Sequence, residues 1–269
     1  MKKLFTAVLI VAGALVLFSN QPASADLSSA EKGRLGLEVI SWWPTVTGEV
    51  AFDLEYIGGT ELDLIDELDI DETVTTIELG AWLNITKRNR FSFYWFMDQR
   101  TGSRVLEESV TVAGKKYSAG GEMDTDLQVQ RYKFLYERAL FRNDIFRLSL
   151  GTGVSYLDAI VELEGEVMGG LLTDSEQERL MVAVPVIAGA AEVHLPLGFG
   201  AFVEGCGMGI KYHYASAQYY DVRGGVNWKS RFVFAQAGYQ HLEISGEAFD
   251  NLDITYSLSG PFVALGAKF

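Results

Sequence analysis

Cysteine, proline, histidine and basic residues are all scarce in this chain. Its 269 residues include one Cys, 5 Pro and 3 His. A single Cys excludes a disulfide framework and a zinc site built on several thiolates. Lys and Arg number 22 against 36 Asp and Glu, which gives a formal net charge of −14. That balance argues against nucleic acid as a partner, because phosphate binding requires clustered positive charge.

Long hydrophobic runs are absent after residue 25, and the one before it is short. Two lysines precede an apolar run over residues 4–18, and Ala23-Ser24-Ala25 follows it. A basic start, an apolar stretch and small residues at this spacing predict a secretory signal over residues 1–25, cleaved before Asp26. The apolar run is shorter than the roughly 20 residues of a transmembrane helix, so an uncleaved anchor is disfavoured.

The chain has instead an alternation of apolar with polar or small residues. In residues 146–156, for example, apolar side chains alternate with Arg, Ser and Gly, and residues 218–228 show the same pattern. A period of two predicts strands that have one apolar face. A soluble sandwich has this period as well, so the alternation alone leaves the choice of fold open.

Ten such segments are separated by links that alternate between short and long. The segments lie at 34–48, 73–84, 90–106, 125–140, 145–162, 179–195, 198–211, 216–228, 231–243 and 253–269. Tight turns follow the even-numbered strands, and most links after odd-numbered strands are long and acidic, at 49–72, 107–124, 163–178 and 244–252. This asymmetry predicts an all-β fold, a closed antiparallel transmembrane β-barrel over residues 26–269, with both termini periplasmic and 49–72 as an acidic first extracellular loop. About ten strands are predicted, with eight or twelve as alternatives.

Aromatic residues fall mostly toward the ends of the predicted strands, where membrane barrels carry interfacial girdles. They are Trp42, Trp43, Trp82, Trp95, Tyr132, Tyr136, Tyr219, Tyr220, Trp228, Tyr239 and Tyr256. Ordinary aromatic pairs on a soluble sheet are the alternative interpretation.

The last strand carries a more specific pattern. Val263, Leu265, Ala267 and Phe269 form an alternating row that ends in Phe at the last position. Here the sequence resembles bacterial outer-membrane β-barrel proteins, although Ala264 stands where that family usually has Gly. Residues 59–72 also resemble a stretch of uncharacterised outer-membrane barrels of Gram-negative bacteria. The resemblance implies an outer-membrane location, contact with lipid and lipopolysaccharide, and recognition of the strand ending in Phe269 by the barrel-assembly machinery.

The strand face opposite the apolar one carries charges of both signs. On the lipid face each Arg or Lys at the membrane midplane would cost about 2–4 kcal/mol, so these charges are expected to line the lumen. The predicted lumen network consists of Glu38, Glu78, Asp98, Arg100, Arg131, Lys133, Glu137, Arg147, Glu204, Asp221 and Arg223. We predict a lumen closed by ion pairs, because side chains just fill an eight-strand barrel and ten strands add little room. A small polar pore is the alternative.

The acidic first loop permits two interpretations. Its closely spaced carboxylates could hold a divalent cation through oxygen ligands, or they could be a solvated acidic rim. The spacing lacks the EF-hand pattern, and the solvated rim is favoured. Large apolar residues interleave with the acids, so part of the loop is expected to fold onto the barrel mouth. These residues are Leu62, Leu64, Ile65, Leu68 and Ile70.

No catalytic constellation stands out in the sequence. His194 precedes a predicted periplasmic turn, whereas His213 and His241 lie near the other end with Ser and acids close by in the sequence. A Ser–His–acid site is recognised by geometry and not by sequence nearness. We therefore predict a non-enzymatic barrel, structural or weakly pore-forming, without cofactor or metal.

Two other functions remain as alternatives. One is a barrel hydrolase that acts on lipopolysaccharide or peptides at the outer rim. The other is a passive carrier of small apolar molecules, with a lateral opening where Pro185 interrupts the sixth strand and glycines surround Cys206 in the seventh. The sequence does not define the oligomeric state.

Overall fold

The structure is a computed structural model that describes residues 34–52, 61–65, 69–106, 110–112, 115–117, 119–167, 172–212, 215–248 and 252–269. The signal predicted over residues 1–25 lies outside these ranges. Within them, no helix is both long and apolar enough to cross a membrane.

The described chain is almost entirely β-structure. The strands are β1 (Leu35–Trp42), β2 (Thr45–Phe52), β3 (Glu61–Asp63), β4 (Thr76–Asn84), β5 (Asn89–Val105), β6 (Val110–Val112), β7 (Lys115–Tyr117), β8 (Glu122–Arg142), β9 (Phe146–Val167), β10 (Leu172–His194), β11 (Phe199–Tyr212), β12 (Ala215–Lys229), β13 (Val233–Ala248) and β14 (Leu252–Lys268). Antiparallel pairing runs β1-β4-β5-β8-β9-β10-β11-β12-β13-β14, and β14 pairs back with β1. The predicted ten-strand closed barrel is confirmed, with β3, β6 and β7 as additional short strands.

β1 and β2 together form the first barrel strand. Both pair with β14 in one continuous register, from Gly36 opposite Lys268 to Phe52 opposite Leu252. The strand is interrupted at Trp43 and Pro44, where proline has no N–H to donate to a neighbouring strand. Closure leaves β1 and β14 without a free edge, as a bilayer interior requires.

The two ends of the barrel differ. Short turns at 85–88, 143–145, 195–198 and 230–232 lie at the end where Arg34 bonds to Phe269, and this is named the turn end. The opposite end is named the loop end. In an outer-membrane barrel these ends face the periplasm and the cell exterior respectively.

The strands reach further toward the loop end than the sequence predicted. β9 and β10 continue through most of the segment 163–178, which was expected to be a loop, and β13 and β14 continue through most of 244–252. Along each strand the apolar side chains move from the outward face in the turn half to the inward face in the loop half, and the outward face there is polar. In the sequence, the upper part of each strand therefore resembles an acidic loop.

β8 shows this switch of the apolar face directly. Near the turn end Phe134 points outward and is 57% exposed, while Arg131 and Lys133 point into the lumen and are buried. Near the loop end Leu127 points inward and is 1% exposed, while Asp126 points outward. The barrel therefore has an apolar outer band in its turn half and an apolar interior in its loop half, where the outer surface is polar.

Aromatic side chains mark both borders of the apolar band. Trp95, Tyr132 and Tyr156 lie side by side on three neighbouring strands at the upper border, and the rings of Tyr132 and Tyr156 are 6.1 Å apart. Exposed aromatics at the lower border are Phe91, Phe141, Phe199, Trp228 and Phe269.

Four residues predicted for the aromatic girdles are not part of them. Trp42, Tyr219 and Tyr256 are at most 1% exposed inside the barrel, and Trp82 lines a lumen cavity. Each of these rings occupies an inward position of its strand. Strand-end position alone therefore does not identify a girdle residue, because the side chain must also face outward.

Residues 61–65 and 69–73 complete the barrel wall above the short strand β4. β3 pairs with β2, Ile70 bridges to Gly102, and Thr73 bridges to Thr45. Leu64 and Ile70 are 0% and 3% exposed within the apolar interior. The predicted folding of part of the first loop onto the mouth is confirmed for these residues. Residues 66–68 and the side chain of Leu62 lie outside the described part.

The described part of the wall has a seam between β10 and β11. The ladder between β10 and β11 ends at Ile187 opposite Gly207, although both strands continue toward the loop end. Pro185 lies two residues beyond the last pair and has no N–H to donate. The strand itself is not interrupted at Pro185, which stays opposite Val154 in the ladder with β9, so the predicted break is found only in the pairing with β11.

Candidate functional site in the barrel lumen

The centre of the lumen is occupied by a fully buried guanidinium. Arg131 on β8 lies 2.9 Å from a carboxylate oxygen of Glu78 on β4 and 2.6 Å from one of Asp221 on β12. Lys133 also pairs with Asp221, and the guanidinium of Arg131 stacks 4.5 Å from the ring centroid of Phe96. These contacts join strands that are up to four positions apart around the barrel, so they cross its interior.

A second cluster lies on the turn-end side of this centre. Arg223 on β12 donates to Glu204 at 2.5 Å and to the Tyr94 hydroxyl at 3.1 Å, and it lies 3.8 Å from Glu38. β12 and β5, which carries Tyr94, are five positions apart in a ring of ten strands and therefore face each other. This second cluster spans the full width of the lumen.

A third cluster lies toward the loop end and holds the first loop. Asp98 accepts hydrogen bonds from Thr76 at 2.6 Å and from Arg100 at 2.6 Å. Arg100, 1% exposed, also donates to the carbonyls of Asp71 at 2.6 Å and Glu72 at 2.8 Å. This arginine connects the loop segment to the wall through bonds that a smaller side chain cannot replace.

The remaining predicted lumen residues, Glu137 and Arg147, are only partly buried and lie at the turn end. Arg147 donates to the hydroxyl of Ser149 at 3.1 Å. Within the described chain, neither Glu137 nor Arg147 has an ion-pair partner within 4 Å. The acid directly opposite Arg147 in the ladder with β10 is Glu192, which already pairs with Lys229 and accepts from Asn227 at 2.8 Å.

Neutral partners of the charges were missed from the sequence. Tyr94, Tyr219 and Tyr256 donate or accept within the clusters, and Gln240 donates to Glu78 at 3.4 Å and to Asp221 at 3.3 Å. Each occupies an inward position of its strand, so strand alternation could have placed them in the lumen. It could not have identified their partners, which lie on distant strands.

Two of the three histidines, His194 and His241, lie in the described part of the chain. His194 lies at the turn end, as predicted, and His213 lies outside the described residues. His241 is on the outer wall, with Nδ1 2.6 Å from Ser259 Oγ and Nε2 3.6 Å from Glu243. The acid is beyond hydrogen-bond distance. His241 and Ser259 are ladder partners, which leaves no free pair of backbone donors at that point for an oxyanion.

Acidic side chains cluster on the outer surface of the loop half. Asp71, Asp124 and Glu162 help to line an open groove of about 610 Å³. Among the described residues, no group of three or more His, Cys, Asp or Glu is arranged to hold a metal ion. The hypothesis of a divalent-cation site gains no support from this part of the chain.

Comparison with known proteins supports the fold and nothing finer. No family model matches the chain, and no curated protein matches it by sequence. The outer-membrane protease OmpT of Escherichia coli has a similar structure, with a TM-score of 0.56 and 10% identity, covering 89% of this chain and 100% of OmpT.

Two further solved structures match less closely. The transport unit of the autotransporter AIDA-I of Escherichia coli has a TM-score of 0.41 and 12% identity, over 96% of this chain and 97% of that chain. Neisserial surface protein A has a TM-score of 0.35 and 9% identity, over 87% and 97%. The fold is that of bacterial outer-membrane β-barrels, and the predicted resemblance is confirmed.

Proposed function

We propose that this chain is a non-enzymatic structural barrel of the bacterial outer membrane whose lumen is closed to ions. The observation that carries this proposal is Arg131, a fully buried guanidinium that bridges Glu78 and Asp221 across the interior. A conducting pore needs a continuous path of water, whereas ion pairs that join facing walls fill the cross-section. The apolar interior of the loop half adds a second barrier on the other side of that layer.

The outer surface supports the location. The apolar band with aromatic borders fits a bilayer, and β14 ends beside Phe269, whose N–H donates to the carbonyl of Leu35 at 2.8 Å. The proposed partners are outer-membrane lipid and lipopolysaccharide on the outer wall, and the barrel-assembly machinery at the strand that ends in Phe269. Export through the signal at residues 1–25 belongs to the same proposal.

Ion flux through reconstituted protein tests the closed lumen. The chain is inserted into planar bilayers, and the current is recorded in 1 M KCl for the wild type and for an Arg131→Ala, Lys133→Ala double variant. The wild type is expected to give no steps, whereas the double variant, which lacks two central side chains, is expected to give small ohmic steps. Wild-type steps that recur in every insertion would contradict the proposal.

Substrate assays test the non-enzymatic part. Purified protein is incubated with lipopolysaccharide and with a peptide library, and products are followed by mass spectrometry. No mass change is expected from the wild type. A product that disappears in Ser259→Ala but persists in Ser245→Ala, which alters a serine on the same outer wall, would establish the hydrolase alternative.

The seam between β10 and β11 favours one second candidate, the passive carrier of small apolar molecules. Above Ile187 the two strands are not joined by a ladder, and the side chains around the gap are apolar. Met181 is 57% exposed, and Met208 is 39% exposed although it occupies an inward position of β11. Val184 and Val186, both buried, lead from the gap into the apolar interior.

Closing the seam with a disulfide tests this candidate. Continuing the β10–β11 register places residue 186 opposite residue 208, so Val186→Cys and Met208→Cys are combined with Cys206→Ala. Uptake of an apolar fluorescent dye into cells is compared for the oxidised and reduced forms. A carrier predicts uptake above that of control cells that falls on oxidation. Equal uptake in cells with and without the protein would refute it.

A further inference from the structure

The seam leaves one side of β10 without a neighbouring strand. β10 pairs with β9 from Leu172 to Val193 without a shift of register. On its other side the ladder with β11 ends at Ile187, and within the described chain no strand pairs with that side beyond this residue. The loop-end part of β10 is therefore an edge strand.

Backbone hydrogen bonds at the turn end show which groups of β10 face the seam. The N–H of His194 donates to the carbonyl of Ile145, next to β9, at 2.7 Å. The N–H of Leu195 donates to the carbonyl of Phe199, at the start of β11, at 2.7 Å. N–H groups of successive residues in a strand point to opposite sides, and the register with β9 is uninterrupted. The odd-numbered residues of β10 therefore direct their N–H and C=O groups toward the seam.

The edge begins at the upper border of the apolar band. Pro185 is an odd-numbered residue without an N–H, so the pairing with β11 loses a donor just beyond Ile187. The next odd-numbered residue, Ala183, lies opposite Tyr156, which belongs to the upper aromatic border. From Ala183 onward β10 leaves the band toward the loop end. Backbone groups there are in water, where an open edge is tolerated, and not in hydrocarbon.

The edge lacks the usual protection against strand pairing. Exposed edges are commonly blunted by charged side chains or bulges. Among the odd-numbered residues from 177 to 183 the only charge is that of Arg179, which donates to Asp158 on β9 at 2.6 and 2.8 Å and so turns away from the seam. The continuous register with β9 leaves no bulge. Residues 177–183 are therefore an open template for a further strand.

The two faces beside this edge differ in chemistry. On the inner face, Leu180 and Val182 pack against the apolar interior but are only partly buried. On the outer face, Glu162 lies opposite Gln177 in the ladder with β9 and lines the acidic groove of the loop half. An added strand fits both faces when its inward side chains are apolar and its outward side chains are basic, because opposite charges are complementary across an interface.

We propose that residues 177–183 of β10 bind an extended peptide segment from outside the cell, in which apolar and basic residues alternate. The segment adds to the sheet as an antiparallel strand. Strand addition takes its affinity from main-chain hydrogen bonds and its specificity from alternate side chains. The site lies on the wall and not in the lumen, so it stands or falls separately from the closed lumen of the proposed function.

A labelled peptide of seven alternating Lys and Val residues, with blocked ends, tests the pairing. Its binding to the protein in zwitterionic detergent micelles is followed by fluorescence anisotropy. Saturable binding is expected, and the analogue with Glu in place of Lys should bind at least tenfold more weakly. Absence of saturable binding, or equal affinity of the two peptides, would overturn the proposal.

Methylated peptides identify the edge. Outward residues of an added strand lie opposite the outward residues of β10 and direct their N–H groups toward it. Methylation of the Lys amides should therefore abolish binding, whereas methylation of the Val amides, which point away from β10, should preserve it. Equal effects of the two methylations would overturn pairing with this edge.

Two variants at one position test the protein side. Ala183→Pro removes an N–H that faces the seam and, as at Pro185, leaves the ladder with β9 its donors. Peptide binding should fall at least tenfold, with the heat-modifiable gel shift of a closed barrel retained. Ala183→Val keeps the N–H and should bind as the wild type does. Wild-type affinity in folded Ala183→Pro would overturn the proposal, and the methylated peptides decide the matter if this variant does not fold.

A second copy of the chain is the other occupant that such an edge admits. Light scattering of the detergent-solubilised protein is expected to give one chain per micelle. A dimer that dissociates in Ala183→Pro would show that the edge pairs with another barrel, and it would overturn the peptide proposal.

Discussion

Single residues in the lumen contribute through charges that have no access to water. Arg131 is the clearest case, since its side chain and that of Glu78 are both 0% exposed. Removing one member of a buried ion pair leaves the other uncompensated, at a cost of about 3–5 kcal/mol. The same deletion in a water-filled lumen would cost about 0–1 kcal/mol. The loss of stability therefore reports whether the lumen is dry.

Arg131→Ala should clearly lower the denaturant midpoint of the barrel in detergent micelles. The outward substitution Val222→Leu, on the strand that carries Asp221, should leave the midpoint unchanged and serves as the control. Equal midpoints for both variants would indicate a hydrated lumen.

Arg223→Ala should lower the denaturant midpoint less than Arg131→Ala does. Its closest partner, Glu204, has a side chain that is 33% exposed, so water can solvate the carboxylate once the arginine is gone. Urea titrations of the two variants under one condition provide the ranking. A larger loss for Arg223→Ala would place the dry part of the lumen at the second cluster instead of the centre.

Strand alternation placed these charges in the lumen but could not pair them. Arg131, Glu78 and Asp221 are far apart in the sequence and lie on strands that do not neighbour one another. Their contact depends on the closure register and on the barrel diameter, which no local pattern encodes. Trp42 and Trp82 were predicted as girdle residues although both side chains point inward. Their position near strand ends did not define the face, because a shift of one residue moves a side chain to the other face of a strand.

At the scale of elements, the switch of the apolar face along β8 is visible in the sequence when the turn half and the loop half of the strand are considered separately. Asp124 and Asp126 occupy the same face as Tyr132 and Phe134. A search for one continuous apolar face ends the strand where that face becomes acidic. The prediction therefore ended β9 and β10 too early, because the upper halves of these strands bury the opposite face.

Arg100→Ala should release residues 69–73 from the wall while the barrel stays closed. The variant loses the donors to the carbonyls of Asp71 and Glu72, which no neighbouring side chain replaces. Limited proteolysis should cut this segment faster than in the wild type, with the heat-modifiable gel shift of a folded barrel retained. The outward neighbour Gln99→Ala is the control, and unchanged protection in Arg100→Ala would contradict the role of this arginine.

Deletion of Phe269 should reduce the amount of barrel in the outer membrane. The backbone of this residue bonds to Arg34 at 2.6 Å and to Leu35 at 2.8 Å, so it completes the pairing between the first and last strands. Membrane fractionation with Phe269→Tyr as the aromatic control measures the effect. Normal levels of the deletion variant would argue against a role of the terminal residue in assembly.

For the whole molecule, the sequence predicted the number of strands, their antiparallel order and the closure between the ends of the chain. These follow from turn spacing and from the need to pair every backbone group in a bilayer. The order of polar and apolar layers along the barrel axis was not predicted. Three polar clusters and an apolar upper interior result from side chains that meet across the barrel, and only the assembled cylinder brings them together.

The most direct test of the closed lumen uses the single native cysteine. Cys206 is 6% exposed and shares a lumen cavity with Lys133 and Asp221, beside the central ion pairs. The protein is reconstituted in liposomes and treated with a small membrane-impermeant thiosulfonate reagent, and labelling is followed by mass spectrometry. With the lumen closed, the folded wild type should stay unlabelled while Arg131→Ala and urea-unfolded protein react. Labelling of the folded wild type as fast as that of Arg131→Ala would show that the central ion pairs do not exclude water and would contradict a closed lumen.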